Sequence, residues 1–183
     1  SELDGIAIKP DGLTAGKGVK VQGDHFKAKK EALEYCKEIL ETHPAVVVEE
    51  KLDGEEFSLQ CLTDGKTVIA TPVVQDHKRA YENDSGPNTG GMGSYSCENH
   101  LLPFLKKSDV EKALDITKKV ANAVNKETGS YYKGIMYGGF ILTKSGVKLV
   151  EYNARFGDPE AMNVLPILKT DFAGICQAII TQE

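Results

Sequence analysis

The chain has 183 residues, of which 40% are hydrophobic and 27% are charged, a composition typical of a globular protein rather than a disordered one. Acidic residues outnumber basic ones by 27 to 22, and the net charge of -5 argues against a nucleic-acid or membrane-surface role, since both need a basic face. No apolar run has the length of a membrane span, and the polar start predicts no signal peptide. The four cysteines lie far apart, which predicts reduced thiols in a cytoplasmic protein.

The first third of the chain predicts a small unit of strands around one helix. Its elements are a strand at 6–9, a glycine-rich loop at 10–18, a return strand at 18–21, a helix at 28–41 and a buried strand at 45–49. Pro44 ends the helix, because proline cannot continue one. The inner stripe of this helix is predicted to carry Leu33, Cys36 and Leu40.

The rest of the chain predicts two hairpins, a long loop and two helices. They are a hairpin at 56–62 and 66–74 around Asp64-Gly65, a loop at 75–105, a helix from the capping box at Ser108 to about 126, a hairpin at 134–143 and 147–153, and a helix at 171–180. The inner stripe of the longer helix is predicted to carry Val110, Leu114, Ala121 and Val124. Because paired strands are mostly hairpins, the pattern favours an α+β fold with antiparallel sheets over a doubly wound one.

Two segments could bind a nucleotide. The glycine-rich loop after Lys9 could cradle phosphate oxygens with its backbone N–H groups, although it lacks the Walker A pattern and could also be a flexible hairpin with solvated lysines. The second segment, 46–58, passes from one predicted strand to another. Its free backbone groups could contact an adenine edge, and a carboxylate a few residues later could accept ribose hydroxyls. An acidic surface turn is the alternative.

The strand at 147–153 leads into the most informative segment of the sequence. Alternate residues on a strand point to the same face, so Glu151, Asn153 and Arg155 are predicted to share one side, with Val150 and Tyr152 on the other. Carboxylate and amide oxygens are ligands that Mg²⁺ prefers, and an arginine one step further can hold a phosphoryl group. This combination predicts phosphoryl transfer, whereas a solvated edge strand would not explain the three functional types.

Four motifs, at 75–80, 86–96, 134–140 and 155–162, resemble the phosphoribosylamine–glycine ligase family of ATP-grasp enzymes. The resemblance covers essentially the whole chain. It implies an ATP-grasp fold, in which two α+β lobes clamp ATP: a small lobe at 1–50 with the glycine loop and a larger lobe at 51–183. That family's enzymes also have N- and C-terminal domains, which this chain lacks, so we expect that the missing domains are needed to complete the site.

The resemblance also implies a role for each matching position. ATP would be bound by Lys9, Gly12, Gly16, Lys17, Gly18, Glu49, Glu50, Leu52 and Glu56. The substrates would be bound by Asp76, Lys78, Pro87, Asn88, Thr89, Gly90, Gly91, Met92 and Arg155. Lys9 and Arg155 would be catalytic. Glu151 and Asn153 would bind Mg²⁺, with Mn²⁺ as a possible substitute. The strand at 134–143 contains no acid, so a second ion would need Asp158 or Glu160, or one ion would suffice.

The implied reaction belongs to de novo purine biosynthesis. Glycine carboxylate would attack the γ-phosphate of ATP to give glycyl phosphate, and the amine of 5-phosphoribosylamine would then displace phosphate. The products would be glycinamide ribonucleotide, ADP and phosphate. Two alternatives stay open: an ATP-binding module without turnover of its own, and an ATP-grasp carboxylase of purine synthesis.

Overall fold

The computed structural model of this chain describes residues 5–12, 14, 18–82 and 85–182. The chain folds into two compact units, Ser1–Leu52 and Asp53–Glu183. None of the helices in the described part is long and apolar enough to cross a membrane. Both units combine helices with antiparallel strands, which confirms the predicted α+β class. The assignment of two lobes to 1–50 and 51–183 stays a prediction.

Unit 1 is a three-stranded antiparallel sheet with one helix packed on it. Its elements are β1 (Ile6–Pro10), β2 (Lys20–Val21), α1 (Lys29–Thr42) and β3 (Val46–Glu50). The strand order is β2-β1-β3, so the longest pairing joins β1 to β3. The core consists of Ile8 from the central strand, Phe26, and Ala32 and Ile39 from α1. Glu31 accepts hydrogen bonds from the backbone N–H groups of Lys27 and Ala28, which immediately precede α1, and thereby caps the helix.

Two sequence predictions about unit 1 were wrong. Of the predicted inner stripe of α1, Cys36 does pack against the core, but Leu33 and Leu40 are each 53% exposed and the fully buried positions are Ala32 and Ile39. Both pairs are seven residues apart, so helical spacing alone could not choose between two adjacent stripes. The third strand, β3, is half-exposed rather than buried, with Val48 50% exposed, because it lies at the edge of the sheet.

Unit 2 is built on a four-stranded antiparallel sheet with the order β11-β10-β4-β5. Its elements are β4 (Gly54–Thr63), β5 (Val68–Ala70), β6 (Gln75–Asp76), β7 (Arg79–Tyr81), β8 (Ser85–Asn88), β9 (Ser94–Tyr95), α2 (Lys107–Thr128), β10 (Gly134–Thr143), β11 (Gly146–Asn153), α3 (Ala161–Val164) and α4 (Phe172–Thr181). One face of the sheet packs against α2 and forms the main core. Phe57 and Phe140 stack there at 5.5 Å between ring centroids.

The predicted long helix is present as α2, but its N-cap is Lys106, two residues before the N-cap that the capping box at Ser108 indicated. The capping carboxylate belongs to Asp109, whose Oδ2 accepts from the backbone N–H of Lys106 at 2.8 Å. Of the predicted inner stripe, Ala121 is buried, and Val110, Leu114 and Val124 are half-buried. The other fully buried positions are Ala113 and Thr117, so the stripe is shifted toward the small side chains that lie closest to the sheet.

The region 75–105 is not the single long loop that the sequence predicted. It contains two short antiparallel ribbons, one formed by β6 and β9 and the other by β7 and β8. Strands of two to four residues are too short to show a period in the sequence, so the pattern could not reveal them. The predicted final helix is confirmed as α4, and Asp171 caps it by accepting from the N–H of Gly174 at 2.7 Å.

Candidate functional site

The face of the four-stranded sheet opposite α2 carries polar side chains. Directly opposed residues of antiparallel strands point to the same side, so the register arranges this face in rows. One row contains Ser58, Gly139 and Glu151 across β4, β10 and β11. The next row along the strands contains Gln60, Tyr137 and Asn153. We refer to this surface as the open face of the sheet.

A β-bulge at Val150 places Glu151 and Asn153 on the open face. Phe140 pairs with Leu149 and Gly139 pairs with Glu151, which leaves Val150 as the extra residue of β11. Strict alternation would instead put Glu151 on the same face as Leu149, in the core. The prediction that Val150 faces away from Glu151 was wrong: Val150 is 38% exposed and lines the same pocket as Glu151.

The side chains of Glu151, Asn153 and Arg155 are contiguous. The Nδ2 of Asn153 donates to Oε1 of Glu151 at 3.2 Å, and a terminal nitrogen of Arg155 lies 3.5 Å from Oδ1 of Asn153. The Arg155 guanidinium also lies 5.9 Å from the ring centroid of Tyr137 and donates to the carbonyl of Phe156 at 2.9 Å. The site therefore places two side chains whose oxygen atoms can bind metal ions, Glu151 and Asn153, beside the positively charged guanidinium of Arg155.

Within the described residues, no three His, Cys, Asp or Glu side chains converge to hold a metal ion. On the open face, Glu151 and Asn153 carry the oxygen atoms that could hold a metal ion.

A small pocket next to these residues brings together several side chains that lie far apart in sequence. Its lining includes Glu56 and Ser58 from β4, Asp76 from β6, Lys78, and Val150 and Glu151 from β11. The ammonium of Lys78 lies 3.9 Å from a carboxylate oxygen of Glu56. Charges of both signs thus line one pocket.

Asp76 is the electrostatically unusual residue of this pocket. Its Oδ1 is buried without a hydrogen-bond partner in the described part of the chain. Burial, and next the nearby Glu160 carboxylate, raise the pKa of Asp76 from its ordinary 3.8 to about 6. Asp76 therefore takes up a proton at a higher pH than an ordinary aspartate does.

We expect Asp76→Asn to remove a pH-dependent destabilisation. Because the pKa is raised in the folded state, that state binds more protons between about pH 4 and 6, and wild-type stability falls as pH rises through this window. Urea unfolding at pH 4 and pH 7 should give equal stability for variant and wild type at pH 4 and a more stable variant at pH 7. The exposed Asp115→Asn serves as the control. A difference independent of pH would contradict the raised pKa.

The structure divides the residues that the resemblance assigned to the substrates. Asp76 and Lys78 line the pocket, and a Cβ on Gly91 would lie 3.1 Å from Oδ1 of Asp76, so Gly91 covers that carboxylate. Thr89 donates its hydroxyl to the carbonyl of Lys78 at 2.8 Å and so braces the ribbon. The remaining members of the group are exposed and do not line the pocket: Pro87, Asn88, Gly90, Met92 and Arg155.

The residues assigned to ATP in unit 1 are arranged on its sheet. Lys9 on β1 forms an ion pair of 2.6 Å with Glu49 on β3, while Glu50 ends that strand and Leu52 follows it. Gly12 and Gly18 have positive φ angles of 149° and 89°. Gly16 and Lys17 lie outside the described residues. Glu56 belongs to unit 2, where it is exposed on β4.

Three buried polar residues beneath the site were missed by sequence reasoning: Ser58, Gln60 and Tyr137. The sequence offered a fourth, Glu160, as a ligand for a second ion, but the structure places it in the same buried network. Glu160 is 1% exposed, and its Oε1 accepts from the hydroxyls of Ser58 at 3.0 Å and Tyr137 at 2.5 Å. Burial, and next the bond to Glu160, raise the pKa of Tyr137, so its hydroxyl stays protonated. Gln60 accepts from the backbone N–H of Gly157 at 2.7 Å. Ser58 and Gln60 alternate with apolar residues on β4, a pattern that ordinarily indicates a solvated face.

Solved structures define the class of this protein. Over 97% of the chain, the fold matches that of D-alanine–D-alanine ligase from Bacillus anthracis with a TM-score of 0.61 at 18% identity, covering 53% of that chain. It matches phosphoribosylamine–glycine ligase from Thermotoga maritima over the same share with a TM-score of 0.79 at 32% identity, covering 44% of that chain. The fold is the ATP-grasp fold, which confirms the prediction from the sequence.

The family model for the phosphoribosylglycinamide synthetase ATP-grasp (A) domain matches residues 1–161, and the chain belongs to this family. Curated relatives named phosphoribosylamine–glycine ligase are identical to this chain at 55% of the aligned positions. The protein from Methanocella arvoryzae is 55% identical over 175 residues, covering 96% of this chain and 40% of the relative. The protein from Methanosarcina acetivorans is 55% identical over 179 residues, covering 98% and 40%. The chain thus spans about 40% of the length of these relatives.

Proposed function

We propose that this chain is the ATP-grasp portion of a ligase that joins glycine to 5-phosphoribosylamine, with hydrolysis of ATP to ADP and phosphate through glycyl phosphate. The observation that carries the proposal is the contiguous set of Glu151, Asn153 and Arg155 beside the pocket of Asp76 and Lys78. The names of the close relatives support the choice of substrates. The rest of a longer polypeptide would complete the active site.

Glu151 and Asn153 fit a divalent cation, Mg²⁺ or its substitute Mn²⁺. Gly139 lies opposite Glu151 in the sheet, and even a Cβ at Gly139 would come no closer than 3.7 Å to the Glu151 side chain. The absence of a side chain there leaves space for a ligand in front of the carboxylate. When bound, the cation would neutralise part of the negative charge of the phosphates.

The neighbouring side chains would orient the reactants. Arg155 presents a planar fork of N–H donors that suits a phosphoryl group, and its exposed position leaves the fork accessible. In the pocket, the Lys78 ammonium would attract the glycine carboxylate, and the Asp76 carboxylate would attract an amine. Lys9, the glycine loop and the segment from Glu49 to Leu52 would bind the phosphates and the adenine of ATP.

We expect Glu56→Ala to weaken binding of ATP more than binding of its 2′,3′-dideoxy analogue. A carboxylate can accept hydrogen bonds from both ribose hydroxyls, and the side chain of Glu56 is 59% exposed and able to do so. Each lost bond to a charged group costs about 1.5–3 kcal/mol. Calorimetric titration of wild type and variant with both nucleotides measures the difference. Equal losses for the two nucleotides would count against a ribose contact.

The main test is titration of the chain with ATP and Mg²⁺, followed by an assay of glycine-dependent ADP release. The same assay on the full-length parent protein gives the reference activity. ATP binding by the chain with ADP release only from the full-length protein would support a binding portion that needs the other domains. ADP release that does not depend on glycine in either protein would contradict the proposed ligase activity.

One alternative is favoured by a specific observation. The chain spans only about 40% of its relatives, so it could act as an ATP-binding module without turnover of its own. ATP binding with no ADP release under any condition would support this module. The other alternative, an ATP-grasp carboxylase, would show ADP release that depends on bicarbonate instead of glycine.

A further inference from the structure

The turn from Gly157 to Glu160 is fixed at both ends to the open face of the sheet. At its start, the N–H of Gly157 donates to the buried Gln60 on β4. At its end, the buried Glu160 accepts from Ser58 on β4 and Tyr137 on β10. The anchors lie on neighbouring central strands, so the turn cannot shift without breaking buried hydrogen bonds, each of which is costly to leave unmade.

The turn is also closed on itself. A Cβ on Gly157 would lie 2.5 Å from Oε2 and 2.8 Å from Cδ of Glu160, so the Glu160 carboxylate occupies the space that a side chain at 157 would need. The backbone N–H of Ala161 donates to the carbonyl of Gly157 at 2.9 Å. This packing keeps Glu160 at the sheet. It also explains why position 157 needs a glycine when position 160 is a glutamate.

Tyr137 connects the anchor to Arg155. Its hydroxyl donates to Glu160, while its ring lies 5.9 Å below the guanidinium of Arg155. Arg155 precedes the anchored Gly157 by only two residues and is itself exposed. The position of an exposed, long side chain is ordinarily poorly defined, because ordering it costs rotamer entropy. Here a buried network fixes both the backbone that follows Arg155 and the ring beneath it.

We propose that Glu160 is a positioning residue that orients the Arg155 guanidinium over the open face through its hydrogen bonds to Ser58 and Tyr137. Glu160 does not reach the reactants, because its carboxylate is buried and bonded to the two hydroxyls. The proposal rests on the proposed function in assigning Arg155 to the transferring phosphoryl group. The geometric part, that Glu160 orders Arg155, can be tested without any nucleotide.

The test uses the Nε–Hε signals of the arginines in ¹⁵N-labelled chain. The sequence contains two arginines, Arg79 and Arg155, so the signal of Arg155 can be assigned with the single variant Arg155→Lys. We expect Glu160→Ala to shift the Arg155 signal and lower its heteronuclear NOE while the Arg79 signal stays in place. We expect Glu160→Gln to restore the wild-type signal, because both hydroxyls donate to the one oxygen Oε1 and an amide oxygen can replace it.

Tyr137→Phe tests the same link without removing a buried carboxylate. It keeps the ring beneath Arg155 and loses only the hydroxyl, so it serves if Glu160→Ala fails to fold. An Arg155 signal that stays unchanged in the folded variants would overturn the proposal, and so would a Glu160→Gln spectrum displaced as far as that of Glu160→Ala or Tyr137→Phe.

Titration with Mg²⁺ and ATP separates this proposal from the proposed function. We expect about a tenfold loss of Mg²⁺-dependent ATP affinity in Glu160→Ala and near wild-type affinity in Glu160→Gln, as for residues that orient a ligand-binding side chain. A wild-type chain that binds no ATP would contradict the proposed function alone, and the arginine signals would still decide the role of Glu160.

Discussion

Glu151→Gln is expected to abolish the Mg²⁺-dependent part of nucleotide affinity while leaving the free energy of unfolding close to that of the wild type. The amide keeps the shape of the side chain but loses the charge that a hard cation needs. The loss should exceed the roughly tenfold effect typical of residues that only support a ligand. Titration calorimetry with ATP, in Mg²⁺ and then in EDTA, measures this difference directly.

The small effect on stability follows from the position of Glu151. The side chain lies on the open face, and its hydrogen bond of 3.2 Å from Asn153 can form equally well to an amide oxygen. Glu98→Gln, which changes an exposed carboxylate outside the site, is the matched control and should leave both quantities unchanged. A Glu151→Gln chain with wild-type dependence on Mg²⁺ would remove Glu151 from the metal site.

Gly138→Ala is expected to lower the free energy of unfolding of unit 2 by about 1–3 kcal/mol, as overpacked cores do. A Cβ at Gly138 would lie 2.5 Å from the ring of Phe140 and 3.0 Å from that of Tyr152. These rings pack edge to face on the side of the sheet that α2 covers, and Phe140 is 1% exposed. Neither ring can move without disturbing the core, so the strain cannot be relieved locally. Urea unfolding followed by circular dichroism measures the loss.

Gly139→Ala is the matched control, since it makes the same change one residue further on the same strand. Its Cβ would face the open side, where the nearest atom is 3.7 Å away on Glu151, an ordinary contact. We expect near wild-type stability but weaker nucleotide binding, because the methyl group narrows the space in front of Glu151. Equal destabilisation by the two substitutions would show that the strand propensity of alanine sets the loss of stability. The packing on the core face of β10 would then not be the cause.

Whether a sequence prediction was confirmed depended on whether the feature is set by neighbouring residues or by residues far apart in the chain. The hairpin of β10 and β11 was predicted within a residue, because Lys144-Ser145-Gly146 is a local turn signal. The final helix, predicted at 171–180, was also placed within a residue of its observed bounds. The stripe of α1 was assigned incorrectly, since Leu33 and Ala32 both satisfy helical spacing and only packing against the sheet selects one.

The site shows the same division between local and long-range determinants. Alternation on the strand placed Glu151 and Asn153 on one face, and the structure has them there. The reason differs, because the bulge at Val150 reverses the alternation that began in the core at Val147 and Leu149. A bulge is a property of how β11 pairs with β10, so the sequence of β11 could not reveal it.

The sequence by itself determined the α+β class, the order of the hairpins and main helices, and the chemical types at 151, 153 and 155, because turns, caps and functional groups are local properties. Its motifs also carried the resemblance to the family. The tertiary structure alone decided which face each residue occupies after the bulge, the burial of Glu160 and its partners on β4 and β10, and the raised pKa of Asp76. Each of these depends on groups brought together from distant parts of the chain, since pairing register and burial exist only once the sheet has formed.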